Sequence, residues 1–406
     1  MDVNPIVLSI PIFAVLIIIE VIIQWVNKRK LYRLNDAVTN INCGITQQIS
    51  GIFLKLFALG IYQFIFEHWA IWQIPTNWYT LILLFVATDF AYYWAHRMSH
   101  EINLFWSAHV VHHQSEDYNL SVALRQSSFQ TIWTSIFFFP LAIIGFNTLD
   151  FALMAALTTL YQFWIHTELI GKLGFIEYIF VTPSHHRVHH GRNPKYIDKN
   201  HGGTFIIWDK LFGTYQKEEE QPTYGVTTPI NSWNPVWANF VHFKVMWKEM
   251  KRMPRFADKI NYVFYKPGWL PANLGGYRPA QAVNRTTYAK YETVVSKKIN
   301  SYVFFQFLSI LAFTTWFLFN QAQLALLLKA GAAVLIMITA ITAGGMFEMK
   351  KWVHWAEKFR LMAVLAIGAA LGFFEMANMW VLILVANYYI ISKIWLTLAL
   401  KTTTNE

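Results

Sequence analysis

Eight of the fourteen histidines fall into three short runs, HRMSH at 96–100, HVVHH at 109–113 and HRVHH at 186–190. Residues at i, i+3 and i+4 share one face of a helix. His96 and His100 are i, i+4, while His109, His112, His113 and again His186, His189, His190 are i, i+3, i+4. Three helical faces therefore present two, three and three imidazoles. Eight nitrogen ligands suit two metal ions better than one. Imidazole-rich, thiolate-free sites suit Fe, Zn, Cu or Ni. A purely structural zinc site more often uses cysteine and needs one ion. The single cysteine, Cys43, excludes an internal disulfide and any Cys-rich zinc or iron–sulfur site.

Other residues gather around these runs. His166, in FWIHTE, is placed to be a ninth ligand. His185 points about 100° away from His186 on a helix and reads as a supporting contact or an extra ligand. His201, before Gly202 and Gly203, reads as a ligand or as turn chemistry. Asp89 lies seven residues before His96, on the same helical face and inside an apolar run. A ligating histidine usually donates its other N–H to a carboxylate or carbonyl, so Asp89 is expected to orient one. Glu101, Glu116 and Asp117 are further candidates for that task. Glu20 has no motif around it and reads as a structural contact. His68, His242 and His354 are isolated and read as ordinary core or interfacial residues.

The elements that must position these side chains are apolar. Hydrophobic residues make up 55% of the 406 and charged residues 14%, against roughly 25% charged in soluble proteins. Runs near the ~20 residues needed to cross a bilayer occur at 5–26, 46–66, 78–95, 301–320, 323–343, 361–374 and 377–398. Shorter runs at 129–146 and 149–165, joined by Asn147 and Thr148, read as a helical hairpin that crosses or dips into the membrane. The first run has no basic segment before it, and Lys28, Arg29, Lys30 and Arg33 follow it, unlike a cleaved signal peptide. With basic loops inside, the N-terminus is outside. The loops at 67–77, 147–148 and near 321 are then outside. Residues 96–128 and 166–300, the stretch with Lys350, Lys351, Lys358 and Arg360, and the tail are cytoplasmic. Residues 166–300 hold 19 of the 33 Lys and Arg. The net charge of +10 is thus topology and not a nucleic-acid surface. The expected fold is an all-α polytopic membrane protein, a helical transmembrane bundle with a His-rich di-metal site at the cytoplasmic face and a cytoplasmic cap. The expected domains are N-terminal transmembrane helices over 1–77, a catalytic domain over 78–300 and C-terminal transmembrane helices over 301–406.

A site at the end of membrane helices opens towards lipid chains, whose C–H bonds resist acid–base catalysis. No G-x-S-x-G or H-E-x-x-H occurs. Zinc hydroxide can hydrolyse an ester without eight histidines. Two irons that activate O2 supply what an unactivated C–H needs, with the protein adding positioning and a dry cavity. The tripartite histidine pattern resembles the fatty acid hydroxylase/sterol desaturase superfamily of membrane di-iron oxygenases. The stretches DFAYYWAHRMSHEINLFWSAHVVHHQSEDYNLSVALRQS, FWIHTELIGKLG, TPSHHRVHHGRNPKYIDKNHGGTFIIWDKLFGTY and KPGW are similar to its glyceryl-ether-cleaving branch. That resemblance covers 85–270 closely and the rest loosely. It implies His96, His100, His109, His112, His113, His186, His189 and His190 as ligands of two Fe ions. It implies O2-dependent hydroxylation of the ether-linked carbon of an alkylglycerol, giving a fatty aldehyde and a glycerol derivative, with tetrahydrobiopterin as reductant. Glu101 and Asn103 match the branch's H-E-x-N and would line the pterin or substrate site. His201 departs from the aromatic residue expected before the paired glycines.

No G-x-G-x-x-G fingerprint, haem domain or cysteine set supplies electrons within the chain. The reductant is external: a pterin, a ferredoxin or a cytochrome b5-like partner. Two other functions compete. A hydroxylase or desaturase of a sterol, fatty acyl chain or aminolipid would use the same ligands. A metal transporter or storage protein would carry ionisable residues in the middle of several spans, whereas these histidines gather at one face.

Overall fold

A computed structural model describes residues 5–373 and 378–401. Tail residues such as Thr403, expected on the cytoplasmic side, lie outside the described residues. The described chain is all helical, apart from one isolated bridge between Phe180 and Phe205. It forms two compact units: Met1–Ile230 with Ala238–Lys290, and Asn231–Trp237 with Tyr291–Glu406. The N-terminal helices thus share a unit with the histidine runs.

Among the described residues, three helices are long and apolar enough to cross a membrane, Lys297–Gln323, Leu326–Phe347 and Met379–Ala399. The pair Leu34–Leu54 and Leu56–Trp69, bent by 41°, makes a fourth when taken as one broken span and is otherwise a re-entrant segment. Seven such spans were expected. Ile10–Val26 has 17 residues and is short. The Trp78–Glu101 helix is long, but from its midpoint on it carries Asp89, His96, Arg97, His100 and Glu101. The expected hairpin is two short arms, Gln130–Ile144 and Thr148–Tyr161.

In the first unit the apolar faces point outwards. Ile12, Val15, Ile19 and Ile22 are exposed at helical spacing on Ile10–Val26, while Glu20 is buried on the opposite side. Its carboxylate accepts from Tyr32 Oη, from the Leu120 N–H at 2.8 Å and from Thr167 Oγ1. In water that outward stripe would be costly; against lipid it is the expected solution. Helix Phe256–Phe264 likewise exposes Phe256, Ile260 and Phe264 at i, i+4 and i+8 and buries Tyr262, the pattern of a helix lying in an interface.

Two uncharged connections meet at one end of this unit. Ile71 N–H donates to the Ile143 carbonyl at 2.8 Å, Thr76 Oγ1 to Asp150 at 2.6 Å, and Asn147 Nδ2 to Thr76 Oγ1 at 3.1 Å. Asn77 caps the Trp78–Glu101 helix there, accepting from the Thr80 N–H at 3.1 Å. That helix has 24 residues, so at 1.5 Å per residue it carries the chain about 36 Å to His96 and His100 at its other end. Tyr62, Leu84, Leu141, Phe146, Phe151 and Met154 form the core that holds it against its neighbours.

The second unit packs the helices Lys297–Asn320, Leu326–Phe347, Val353–Phe373 and Met379–Lys401. Arg360, expected in a cytoplasmic loop, is buried inside Val353–Phe373. Its Nη2 lies 2.6 Å from Glu357 Oε1 and 2.7 Å from Gln306 Oε1, and its Nη1 donates to Tyr388 Oη at 2.8 Å. Tyr302 Oη donates to Glu357 at 2.5 Å, and Gln306 Nε2 to Ser392 Oγ at 2.9 Å. One ion pair therefore ties three helices together.

Candidate metal centre

The histidine runs lie at the end of the long Trp78–Glu101 helix and on the short helices Asn103–His113 and Pro183–His189, whose ends are fixed by turn chemistry. Ile102 breaks the chain between Trp78–Glu101 and Asn103–His113. Thr182 and Pro183 start the helix Pro183–His189, with proline at the first turn where its missing N–H costs nothing. Nine imidazoles converge in two groups: His96, His100, His109, His113 and His189 in one, His112, His166, His186 and His190 in the other. Within each group one nitrogen per ring lies within 4.8 Å of all the others. All nine rings are buried. The ninth member is His166, as its position in FWIHTE suggested.

Backbone carbonyls set the tautomers. A carbonyl only accepts, so a ring nitrogen bonded to one must carry the proton. His96 Nδ1 donates to the His201 carbonyl at 2.8 Å, and His189 Nδ1 to Lys199 at 3.0 Å. His112 Nδ1 donates to the Arg125 carbonyl at 2.9 Å, and His166 Nδ1 to Gln162 at 2.7 Å. Each Nε2 is left as a bare lone pair. Yet Nε2 of His112 and His166 face each other at 3.2 Å. Those of His96 and His109 stand 3.0 Å apart, and those of His166 and His186 also 3.0 Å. In the His112–His166 pair both are lone pairs, which repel at that distance unless a cation lies between them; no carbonyl sets the tautomer of His109 or His186. Nitrogens about 2.0–2.1 Å from one zinc-like ion are about 2.9–3.4 Å apart at angles from 90° to tetrahedral. The observed spacings fall in that range. Nε2 of His100, His189 and His190 are buried with no hydrogen-bond partner. The residues present therefore fit a pair of bound cations.

Burial also keeps the rings neutral, the ligating form. Desolvation is the main cause in every case. It lowers His109 to about 3 and His112 to about 4, and holds His113, His186, His189 and His190 well below the usual imidazole value.

The remaining predicted residues fall into place around this centre. Asp89 does not touch an imidazole. Its carboxylate accepts from the N–H of Thr204 at 2.6 Å and Phe205 at 3.1 Å and from Trp208 Nε1 at 3.0 Å. It grips the loop whose His201 carbonyl holds His96, so the expected orienting contact is one step removed. The loop approaches so closely that a Cβ on Gly203 would sit 2.8 Å from Asp89 Oδ1, and one on Gly202 2.5 Å from the Phe205 carbonyl. His185 falls outside both groups. It sits at the third position of its helix, its Nδ1 3.4 Å from the Thr182 N–H and its ring against Tyr215. Glu101 accepts from Arg97 Nε at 3.0 Å. Asn103 turns to the cap: its Nδ2 donates to the Tyr262 carbonyl at 3.0 Å and its Oδ1 accepts from His242 Nε2 at 2.8 Å. Burial lowers His242 to about 4, so it meets Asn103 as a neutral donor. Glu116 accepts from Tyr288 Oη, and Asp117 pairs with Arg33 at 2.9 Å and Lys290 at 2.6 Å.

Sequence reasoning missed two arginines that brace the histidine segments. Buried Arg125, in ALRQS, donates Nε to the Val111 carbonyl at 2.7 Å, Nη1 to Asn40 at 3.0 Å and Nη2 to Gln114 at 2.8 Å. Its own carbonyl holds His112. Arg187 pairs with Glu218 through two 2.8 Å bonds and donates to the carbonyls of Thr167 and Ile170 at 3.1 and 2.7 Å, beside His166. Their place between histidines was the only signal available.

Comparison with known proteins agrees with this geometry. A family model described as fatty acid hydroxylase matches residues 81–214, the segment that carries all nine converging histidines. Alkylglycerol monooxygenase from Homo sapiens is 37% identical over 364 residues, 88% of this chain and 81% of the relative. The alkylglycerol monooxygenase of Danio rerio is 33% identical over 88% of this chain and 80% of its own length. An ornithine lipid hydroxylase from Rhizobium tropici is 28% identical over 145 residues, 35% of this chain. No solved structure matches. The chain belongs to the alkylglycerol monooxygenase family.

Proposed function

We propose that this protein is a membrane-bound lipid monooxygenase that cleaves the ether bond of alkylglycerols at a di-iron centre. The observation that carries the reading is the convergence of nine buried imidazoles, four of them held by carbonyls with the Nε2 lone pair turned inwards. His96, His100, His109, His113 and His189 would hold one iron, and His112, His166, His186 and His190 the other. Bound iron supplies the activation of O2 that hydroxylation of an unactivated C–H requires. One oxygen atom enters the C–H bond of the ether-linked carbon. The other leaves as water, with two electrons and two protons from an external reductant, tetrahydrobiopterin by family likeness. The hemiacetal then breaks to a fatty aldehyde and a glycerol.

The chain's own part is positioning and exclusion of water. Carbonyls of Gln162, Arg125, Lys199 and His201 hold four rings in the ligating tautomer. Trp106 packs 5.0 Å from the His100 ring, and Tyr118 5.2 Å from that of His190, closing the centre with aromatic surface. Glu101, Arg97 and Asp198 make the nearby polar rim, a place for a reductant to dock. Asp89 serves as a positioning residue through the 201–208 loop. The uncharged connections at 70–77 and 143–147 meet at the end of the first unit remote from His96 and His100. With basic loops inside, the histidine end faces the cytoplasm and the N-terminus lies outside. Reporter fusions at Ser115 and Asn193 should agree on that orientation.

Lipid mass spectrometry of membranes with and without the protein, under 18O2, tests the activity. Loss of alkylglycerols with 18O in the aldehyde supports it. Label in a sterol, acyl chain or aminolipid, with ether lipids untouched, moves the substrate assignment within the same chemistry. No label in any lipid refutes a monooxygenase.

A further inference from the structure

The loop that orients His96 carries an imidazole of its own. His201 is fully buried, and neither of its ring nitrogens has a hydrogen-bond partner. A buried polar group left unpaired is costly, and this ring has two. Packing does not account for it. The ring lies edge-on to Tyr93 at 6.3 Å, a contact phenylalanine would make without burying two nitrogens. Its centroid is 5.1, 5.7 and 5.8 Å from the rings of His100, His96 and His189. The five-histidine group shows the same spread among its own members, from 4.4 Å for His96–His189 to 6.4 Å for His109–His189.

The second observation is the carboxylate behind it. Asp209 is also fully buried and accepts from the N–H groups of His201 at 2.7 Å and Gly202 at 2.8 Å and from Thr214 Oγ1 at 2.6 Å. Its Oδ1 lies 3.8 Å from His201 Nδ1. That is beyond hydrogen-bond length, but the negative charge favours the proton on Nδ1 and so the lone pair on Nε2. Carboxylate, imidazole and cation in that order is the recurrent support of metal-ligating histidines.

We propose that His201 is a tenth imidazole of the centre, joining the five-histidine position from the loop side with the Asp209 carboxylate behind its Nδ1. This rests on reading the two groups as a pair of metal sites. His201 is not among the five whose nitrogens lie within 4.8 Å of one another, so its ring must shift towards them to bind the ion. The same residue then acts twice, its carbonyl orienting His96 and its side chain binding.

The test uses the full chain purified in detergent and loaded anaerobically with iron(II), or with cobalt(II) for its visible spectrum. The readouts are ions per chain, the rate of release to a chelator and the cobalt bands. Fewer than two ions in the unaltered chain would refute the paired-metal reading itself. With two ions there, His201→Phe should release one of them about 10–100-fold faster and shift the cobalt spectrum. His201→Ala should release it equally fast, and added imidazole should slow that release. Unchanged release and spectrum in both variants would overturn the proposal. So would fast release that imidazole does not slow, because loop packing alone would then be responsible. Should His201→Phe fail to insert, His201→Ala with and without imidazole decides.

Discussion

Arg360 and Glu357 meet inside the C-terminal unit with Tyr302, Gln306, Tyr388 and Ser392 arranged around them. In the other unit, nine imidazoles meet, four of them with Nδ1 protons turned outwards to carbonyls and Nε2 lone pairs turned in. Both clusters are buried among apolar helices. The first is closed: each charge finds its opposite and each donor an acceptor, so it fastens helices and asks for nothing more. The second is open: like groups face each other at 3.0–3.2 Å, an arrangement compatible with an added cation. A buried polar cluster that satisfies itself is architecture; one that converges on a shared deficit is a site. His201, with two unpaired nitrogens, falls on the open side of that divide.

The largest expected effect comes from opening the site further. We predict that His109→Ala, His112→Ala and His189→Ala each abolish turnover and lower the metal content, with insertion unchanged. Near-wild-type product formation in any one would remove that residue from the ligand set. Acid should come next. The folded metal-free protein holds His112 at about 4 and His109 at about 3, against 6.5 for an ordinary histidine. Between those values the unfolded chain binds more protons than the folded one, so stability falls as pH drops from about 6.5 to 4. Denaturant unfolding of metal-free protein at pH 7.5 and pH 5 should show the loss, with metal release over the same window. Equal stability at both pH values would contradict it.

Breaking the closed cluster should cost stability and spare the metal. Arg360→Ala leaves Glu357 buried without its cation, a change of about 3–5 kcal/mol. Replacing both with apolar residues of similar volume should cost far less. Unfolding in micelles measures the first effect and metal analysis the second. Metal loss in Arg360→Ala without loss of stability would erase the distinction between the clusters. Asp89→Asn replaces one acceptor by a donor facing N–H groups of the 204–208 segment, and iron retention should fall about 10–100-fold. Full retention would show that the loop does not depend on Asp89. The smallest effect should be at His185. His185→Gln should keep both ions and lose about 1 kcal/mol, the size of a weakened helix cap. Loss of an ion there would return it to the ligand set.

The convergence of the histidines was legible because helical spacing is written in side chains. Positions 96/100, 109/112/113 and 186/189/190 share faces by geometry alone, and the same geometry turns His185 aside. What orients them was not legible, because the acceptors are backbone carbonyls of Arg125, Gln162, Lys199 and His201, which no residue type announces. Asp89 was placed on the right helical face, yet its partners lie 115–119 residues away, beyond any periodicity. Arg360 was misplaced because Lys350, Lys351 and Lys358 make its neighbourhood read as a basic loop. Glu357, three residues before it, was the available hint.

The distances along the chain between ring and carbonyl also impose an order of maturation. His166 is held by a carbonyl four residues earlier and His112 by one thirteen residues later. His96, the first of the nine to be synthesised, takes its proton acceptor from residue 201, 105 residues downstream. The four-histidine position therefore has its local holds as soon as its own segments exist. The five-histidine position acquires its last hold only when the 201–208 loop has been made and drawn back onto Asp89.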